Sequence, residues 1–422
     1  MRSANIEEFV KERMAKHDKN VFKTSVWGQK TAFFCGRDGH RFLFSGEGSL
    51  IVSWWPPIMQ RIFPTSLINT VGDDARLTRR LLSVVIQKPE SLRRYVAMVD
   101  AFTRSNVARE WGGRDEVTVY PLIKDYTFAL TCALFAGIRD GEQTSRLGER
   151  FYVLLKGMGQ LPVNLPGTRY YKAVKAGDAI KEELRRVVRE RREEVEVGGD
   201  DGEVKEDLLS YLVVTGDETG RRMTEEEIVD NVLLLLHAGH DTTSCTLTLV
   251  LKHLADEPEI YDKVLEGESP GERFGLGRHT KMKYSWNVVS EVLRHWAPVQ
   301  GTFRKAITDF TFDGFTIPKG YKLYWTAFST HLDETYFPEP RKFDPSRFEG
   351  DKGPVPHTYV PFGGGPRMCP GKELARLVIL VFLHNVIMKY RWESVFPNER
   401  VVTDPLPTPS EGLPIHIHPH SF

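Results

Sequence analysis

The sequence predicts a mainly α-helical protein with a small β subdomain, and three observations lead to that fold class. Helical periodicity dominates residues 69–263. Strand patterns are fewer and lie near the two ends of the chain, at residues 21–34, 308–317 and 413–418. The 422 residues, of which 41% are hydrophobic, are enough for a large core, and no linker-like segment divides them. We therefore expect a single domain over residues 1–422.

Two helices are predicted with particular clarity. Residues 180–194 place Ile180, Leu184 and Val188 on one stripe and charged residues off it, which is amphipathic periodicity. Thr224 is followed by three glutamates, a pattern typical of a helix N-cap with acids in the first turn. We expect a long helix to begin there and to end near Ala255.

The predicted strands are expected to form a small sheet. The segment 21–34 alternates around Gly28, the segment 308–317 carries three phenylalanines, and the segment 413–418 alternates apolar and histidine residues. These patterns predict pairing of short strands.

Charge and cysteine content exclude several classes of function. The chain has 57 Lys and Arg against 57 Asp and Glu, so it lacks the basic field that nucleic-acid binding needs, and we expect no nucleic-acid partner. The four cysteines are scattered and form no Cys-x-x-Cys pair, which argues against a zinc site and a disulfide scaffold. A reducing compartment is the natural inference.

Hydropathy predicts no membrane-spanning segment in this chain. The longest apolar runs, such as residues 377–383, fall far below the ~20 residues that cross a bilayer. The first ten residues also lack the apolar stretch of a signal peptide. We therefore expect neither an N-terminal anchor nor a leader in this chain.

A glycine-rich segment around Cys369 carries the strongest chemical signal, with the sequence Phe-Gly-Gly-Gly-Pro-Arg-Met-Cys-Pro-Gly over residues 362–371. Gly363, Gly365 and Gly371 allow the backbone to approach a flat macrocycle closely. A helix is predicted from Lys372, so Cys369 precedes a helix N-terminus, where partial positive charge favours a thiolate. This pattern indicates a thiolate ligand for a haem iron.

Two alternative interpretations of this segment are weaker. A single intracellular cysteine is usually a small buried hydrophobic residue. However, a match to Phe-Gly-x-Gly-x-Arg-x-Cys-x-Gly should arise by chance in only about one of 10^5 chains of this length. A phosphate-binding loop would need glycine at Pro366 and Ser or Thr at Glu373, so that interpretation fails.

A second chemical pattern lies on the predicted long helix, in the sequence Ala-Gly-His-Asp-Thr-Thr over residues 238–243. Gly239 costs about 1 kcal/mol of helix propensity relative to alanine, which invites a functional explanation. A local opening beside it would make room for dioxygen, and Asp241 and Thr242 supply an acid and an alcohol that can relay protons. The alternative is a helix with a polar notch.

With these residues the chain resembles the cytochrome P450 superfamily of haem-thiolate monooxygenases, from about Val21 to the C-terminus. The resemblance implies the cytochrome P450 fold, with haem b between the long central helix and the cysteine-ligand loop. It implies that Cys369 binds the iron, that Asp241 and Thr242 are catalytic, and that Phe362 and Gly363 contact the cofactor. It also places three arginines at the haem propionates, namely Arg79, Arg304 and Arg367.

The resemblance also predicts a structural role for a Glu-x-x-Arg pattern. Glu291 and Arg294 alone would predict an ordinary surface ion pair on a helix. In the family, such a pair joins a later arginine, here Arg347, in a buried network. We expect these three residues to be structural, because breaking a buried charge set leaves charges without partners.

Several segments resemble one branch of the family, the plant triterpenoid oxidases of the β-amyrin 28-oxidase type. They are residues 51–56, 161–168, 283–288 and 362–375. A bulky lipophilic triterpenoid is therefore the expected substrate, and repeated oxidation of one carbon could give an acid. Two departures from the relatives are His295-Trp296-Ala297 in place of a more usual Leu-x-Pro, and a shorter segment at residues 267–280.

Other functions remain open at this point. The chain could act as a taxane-type diterpenoid or sterol hydroxylase, or as a truncated haem protein without catalysis. A haem-thiolate isomerase or dehydratase is a further alternative, but such enzymes tend to lose the acid and alcohol that Asp241 and Thr242 supply.

The resemblance implies a set of partners. Besides the lipophilic substrate and dioxygen, the reaction needs electrons, and the chain has no Gly-x-Gly-x-x-Gly dinucleotide fingerprint. An NADPH-dependent cytochrome reductase is the implied electron donor, with Lys372 and Arg376 as candidate docking residues. The implied location is the cytosolic face of the endoplasmic reticulum membrane, with a soluble protein as the alternative because this chain lacks an anchor.

Overall fold

The computed structural model describes residues 6–18, 20–198, 207–216, 220–268, 282–350 and 353–420. The segment 267–280, which the sequence analysis expected to be shorter than in the relatives, lies outside the described residues beyond Glu268. Helices dominate the described part, as the sequence predicts. They are α1 Ile6–Lys16, α2 Gly36–Ser45, α3 Pro57–Ile62, α4 Gly72–Ile86, α5 Pro89–Glu110, α6 Val119–Thr131, α7 Gly141–Met158, α8 Arg169–Gly198, α9 Leu208–Val214, α10 Glu225–Asp256, α11 Pro258–Glu266, α12 Lys283–His295, α13 Phe328–His331 and α14 Lys372–Ile387.

The strands of the described residues are short and form four sheets. They are β1 Val21–Val26, β2 Gln29–Phe34, β3 Ile51–Ser53, β4 Glu116–Thr118, β5 Phe303–Ala306, β6 Phe310–Phe312, β7 Phe315–Ile317, β8 Lys322–Trp325, β9 Tyr390–Ser394, β10 Val401–Thr403, β11 Pro407–Pro409 and β12 Pro414–Pro419. The largest sheet has the order β1-β2-β8-β5-β3, and a three-stranded sheet has the order β4-β12-β9. The pairs β6-β7 and β10-β11 stand alone.

The three predicted strand regions do not share one sheet, in contrast to the expectation. Residues 21–34 lie in the five-stranded sheet, residues 308–317 form the separate β6-β7 hairpin, and residues 413–418 join the three-stranded sheet. Period-two alternation reports which face of a strand is buried, but it contains no information on the partner strand.

Turn chemistry explains the two hairpins. Trp27 and Gly28 link β1 to β2 with φ values of 47° and 75°, and Asp313 and Gly314 link β6 to β7 with values of 50° and 77°. Two consecutive residues with positive φ are the signature of a type I′ turn, whose twist matches that of the flanking strands. Each second position is glycine, which adopts this conformation without steric cost.

Contacts divide the chain into two compact units. The first comprises residues 1–54, 96–124 and 242–422, and the second comprises residues 55–95 and 125–241. All the strands named above lie in the first unit, whose core includes the fully buried Phe34, Ile51 and Leu323. The second unit is helical in its described residues. The single domain expected for residues 1–422 stays a prediction.

The start of α10 has the predicted cap. The Thr224 hydroxyl accepts a hydrogen bond from the Glu227 N–H at 3.2 Å, and the Glu227 carboxylate accepts one from the Thr224 N–H at 2.8 Å. This reciprocal pair is a capping box, which satisfies two backbone donors that the first helical turn leaves without partners. The helix then continues to Asp256, within one residue of the predicted end.

Among the described residues, no single helix is long and apolar enough to cross a membrane. Within the described part of the chain, one pair of helical segments, residues 119–136 and α7, reaches that length and composition together, and this pair is bent by 108°.

Candidate haem site

The loop that carries Cys369 is a tight structure held by its own backbone. The Cys369 N–H donates to the Phe362 carbonyl at 2.9 Å, and the Gly363 N–H donates to the Val360 carbonyl at 2.9 Å. Residues Gly365–Arg367 form one turn of 3₁₀-helix, and α14 begins at Lys372 as predicted. Cys369 therefore lies just before the N-terminus of a long helix, where the helix dipole favours a negative sulfur.

Cys369 differs in its surroundings from the other three cysteines. Cys35, Cys132 and Cys245 are buried, whereas Cys369 is partly exposed. Burial raises the pKa of the Cys35 and Cys132 thiols well above their usual range. Cys245 donates its S–H to the Pro407 carbonyl at 2.8 Å. Of the four cysteines, Cys369 is thus the one that is not buried in the protein.

Two glycines of this loop allow it to pack closely against another helix, a role that was not expected from the sequence. Gly365 has a φ of 65°, and a Cβ built there would lie 2.1 Å from the Phe44 carbonyl oxygen. A Cβ on Gly364 would lie 2.4 Å from the Phe44 ring. These glycines therefore allow the loop to pack against the end of α2, whereas the sequence analysis gave Gly365 the role of approaching a macrocycle.

Two of the three predicted arginines share one carboxylate. Arg304 lies on β5, and its Nε is 3.2 Å from Glu47 Oε2. Arg367 lies in the cysteine loop, and its Nε–H donates to Glu47 Oε1 at 2.8 Å. Sequence reasoning missed Glu47, because a single acid in a Gly-Glu-Gly turn carries no recognisable signal.

Arg304 is buried, and the structure defines the hydrogen bonds of its guanidinium group. It is 5% exposed, and its Nη1 donates to the Thr302 hydroxyl at 2.9 Å and to the Phe303 carbonyl at 2.8 Å. Among the described residues, its Nη2 makes no hydrogen bond. Burial lowers the pKa of Arg304 to about 10, Glu47 opposes that shift, and the charge of Arg367 adds to it. Two guanidinium groups and one carboxylate form a cationic cluster that suits a carboxylate ligand.

The third predicted arginine, Arg79, lies on α4 in the other compact unit. Asp241 is the last residue of that unit and Thr242 follows it on the continuous helix α10. In the described contacts, Nδ1 of the buried His240 lies 2.8 Å from the Thr127 hydroxyl, and its Nε2 lies 3.4 Å from the Asp241 carboxylate. His240 was not singled out from the sequence.

Gly239 has a packing role in the structure. A Cβ at this position would lie 3.2 Å from both the Phe135 ring and the Thr131 methyl group. Phe135 belongs to a π-helical turn, Cys132–Ala136, that follows α6. The glycine thus permits close contact between two elements, where the sequence analysis expected a local opening of the helix.

Glu291, Arg294 and Arg347 lie together in a buried network. Arg294 binds Glu291 through two hydrogen bonds of 2.7 Å, with both side chains 0% exposed. Arg347 Nε lies 3.4 Å from Glu291, and the Asp344 N–H donates to the same carboxylate at 2.9 Å. The network also contains His295, whose Nε2 lies 3.4 Å from Glu291.

This network is linked to the cysteine loop through His331. The Arg294 Nη1 donates to the His331 carbonyl at 2.7 Å. The His331 ring accepts from the Val360 N–H at 2.8 Å, and Val360 in turn binds Gly363 of the loop. Burial, with the nearby His40, lowers the pKa of His331 to about 3, so its ring is neutral and can accept that hydrogen bond.

The two basic residues named for docking differ in their surroundings. Arg376 lies 5.0 Å from the centre of the Trp286 ring, and burial lowers its pKa. Its guanidinium therefore lies against an aromatic ring. Lys372, at the start of α14, is partly exposed.

Comparison with known proteins identifies the relatives of this chain. The family model described as cytochrome P450 matches residues 2–419 and so spans both compact units. A β-amyrin 28-monooxygenase of Vitis vinifera is 44% identical over 98% of this chain and 87% of its own length. A β-amyrin 6-β-monooxygenase of Solanum lycopersicum is 45% identical over 99% of this chain and 89% of its own length.

Solved structures agree with this relationship. A cyanobacterial cytochrome P450, CYP120A1 with bound retinoic acid, has a TM-score of 0.90 and 31% identity over 99% of this chain and 95% of that chain. The haem domain of cytochrome P450DA has a TM-score of 0.86 over 99% of this chain and 94% of that chain, at 18% identity, which supports the fold alone. Haem is the cofactor that this fold and family require. The chain therefore belongs to the cytochrome P450 family of haem-containing monooxygenases.

Proposed function

We propose that this chain is a haem-thiolate monooxygenase that oxidises a triterpenoid of the β-amyrin type. The observation that carries the proposal is the 44% identity, over nearly the whole chain, to enzymes that are named for oxidising β-amyrin. The named positions differ among these relatives, since one is a 28-monooxygenase and another a 6-β-monooxygenase. The substrate skeleton is thus better supported than the carbon oxidised.

The residues around Cys369 fit haem as the cofactor. Cys369 is partly exposed and precedes a helix N-terminus, and the buried Arg304 makes no hydrogen bond through Nη2 among the described residues. We assign Cys369 as the iron ligand and Arg304 and Arg367 as partners of the haem propionates. Arg79 is proposed as a third such partner, and Phe362 and Gly363 as neighbours of the cofactor. When bound, haem activates dioxygen and inserts one oxygen atom into a C–H bond of the substrate.

Protons for this reaction are proposed to come through α10. The Asp241 carboxyl and the Thr242 hydroxyl are consecutive side chains on that helix. An acid of this kind can give up a proton that the neighbouring hydroxyl passes on. The presence of both groups favours a monooxygenase over an isomerase, a dehydratase or a non-catalytic haem protein.

Replacing Thr242 by alanine tests the proton relay. We expect the variant to keep its haem spectrum but to form product roughly tenfold or more slowly, while it continues to consume NADPH. The measurement is the ratio of product formed to NADPH consumed with purified reductase. Thr248→Ala is a matched control, because Thr248 is a buried threonine of the same helix that donates to the Ser244 carbonyl at 2.8 Å. Unchanged coupling in Thr242→Ala would refute the relay.

The substrate class is tested by product analysis. Co-expression with a β-amyrin synthase and a cytochrome reductase in yeast is expected to give β-amyrin oxidised at C-28 as alcohol, aldehyde or acid, detected by mass spectrometry. The Cys369→Ala variant supplies the background, and parallel strains that make other triterpenes, sterols or taxadiene cover the alternatives. Oxidised taxadiene or sterol in place of oxidised β-amyrin, from protein with an intact haem spectrum, would overturn the triterpenoid assignment.

Electron supply and location follow from the same proposal. A cytochrome P450 monooxygenase needs an external electron donor. We propose an NADPH-dependent cytochrome reductase that docks near the cysteine loop at Lys372. The endoplasmic reticulum membrane is the proposed location, on the basis of the resemblance to membrane-bound plant members of the family.

A further inference from the structure

Glu47 is the acidic residue that lies between Arg304 and Arg367, the two arginines described above near the cysteine loop. Its side chain is 9% exposed and lies between Arg304 and Arg367 in the first compact unit. Oε2 faces the Nε of Arg304 at 3.2 Å, and Oε1 accepts from the Nε of Arg367 at 2.8 Å. The backbone N–H of Ser53 also donates to Oε1, at 3.2 Å.

The chain holds Glu47 in place through a tight turn between α2 and β3. The Gly48 N–H donates to the Ile51 carbonyl at 2.8 Å, and Gly48 has a φ of 84° that favours glycine. Ile51 is fully buried, and β3 pairs with β5 so that Ser53 is opposite Arg304. Glu47 therefore reaches Arg304 from the turn that precedes β3, with little freedom to move.

The cysteine loop approaches the same turn from the other side. Gly365 contacts the Phe44 carbonyl at the end of α2, three residues before Glu47, so closely that a side chain would not fit. Arg367 follows two residues later and ends the 3₁₀ turn. The distance between the loop and Glu47 is thus set by backbone packing as well as by charge.

We propose that Glu47 is a positioning residue for haem: it fixes the Nε edges of Arg304 and Arg367, so that Nη2 of Arg304 is left for a haem carboxylate. Its charge also reduces that of the cluster from +2 to +1, which limits repulsion between the guanidinium groups. The inference rests on the proposed assignment of these arginines to the propionates. In this proposal Glu47 does not contact haem itself. It contacts the two arginines that hold the haem propionates.

Replacing Glu47 by glutamine tests this role with little change of shape. The amide keeps one oxygen that can accept from the Arg367 Nε–H, but it replaces the oxygen that faces Arg304 with an NH2 donor and removes the negative charge. We expect haem to transfer to excess apomyoglobin about tenfold faster, the scale seen when a partner that orients a metal-binding group is lost. We also expect a higher haem reduction potential, because the loss of one negative charge from the arginine cluster disfavours the more positive, oxidised haem.

Two further variants separate charge from folding. Glu47→Asp keeps the charge, so we expect its reduction potential to stay close to that of the wild type. Glu183→Gln is the control, because Glu183 is also buried and also pairs with arginines in the second unit, namely Arg146 at 3.6 Å, Arg150 at 3.1 Å and Arg186 at 3.6 Å. It should change neither the haem release rate nor the potential. Circular dichroism of all variants reports the fold independently of haem.

Arg304→Gln distinguishes the failure of this inference from the failure of the assignment on which it rests. Faster haem release in Arg304→Gln, with wild-type release and potential in Glu47→Gln, would overturn the role of Glu47 alone. Wild-type release in both variants would overturn the assignment of Arg304 as well. If Glu47→Gln purifies without haem but folded, titration of the apoprotein with haemin gives the same comparison, and wild-type affinity would contradict the proposal.

Discussion

Replacement of Cys369 by alanine is expected to abolish the thiolate-specific absorption of the reduced, carbon-monoxide-bound protein and to bring product formation to background. The reason is that no other cysteine can substitute for it. Cys35 and Cys132 are fully buried, and the S–H of Cys245 is already bound to the Pro407 carbonyl. The measurement is the difference spectrum of reduced protein with and without carbon monoxide, together with the product assay.

Cys35→Ala provides the control for this experiment. Cys35 is buried in the same compact unit, and burial raises the pKa of its thiol, so it remains neutral. We expect this variant to keep both the spectrum and the activity, with at most a modest loss of stability from a small cavity. A wild-type spectrum in Cys369→Ala would refute Cys369 as the iron ligand.

The sequence indicated Cys369 because the motif is local. All residues of the motif lie within ten positions, so its pattern is visible without knowledge of the fold. Glu47 could not be found in this way, because its partner Arg367 is 320 positions away in the chain. Its role depends on the packing of α2 against the cysteine loop, which no local pattern contains.

The fold shows the same division between local and long-range information. The capping box at Thr224, the end of α10 and the start of α14 depend on a few neighbouring residues, and the sequence predicted them within one residue. The sheet partners were predicted wrongly, since one small sheet was expected and the strands lie in several. Strand pairing joins distant residues, such as Thr31 with Lys322, and alternation alone does not encode it.

Glu291→Gln is expected to destabilise the protein by about 3–5 kcal/mol, because it removes one partner of a fully buried charge pair. Such a loss is a large part of the ~5–15 kcal/mol that keeps a typical protein folded. Burial by itself would raise the pKa of Glu291, but hydrogen bonds from Arg294 and His295, the Arg294 charge and the Asp344 N–H lower it to about 2. The measurement is the denaturation midpoint and the fraction of protein that retains haem.

The lowered pKa of Glu291 also predicts how the loss of stability in Glu291→Gln depends on pH. Because the pKa of Glu291 is lower in the folded than in the unfolded state, its contribution is fully present above the ordinary value of 4.5 and is lost as the pH falls from there towards 2. The difference in stability between wild type and Glu291→Gln should therefore be constant near neutral pH and shrink in acid. A difference that grows in acid would contradict this account.

A second Glu-x-x-Arg pair in the chain supplies the decisive control. Glu182 and Arg185 lie on α8 with the same spacing and a distance of 2.9 Å, but the Glu182 side chain is 70% exposed. Exposed pairs contribute only about 0–1 kcal/mol, so Glu182→Gln should be nearly neutral. Burial, and not spacing, then accounts for the difference between the two variants. If Glu291→Gln were as mild as Glu182→Gln, the network would not be what holds residues 339–348 against α12 behind the cysteine loop.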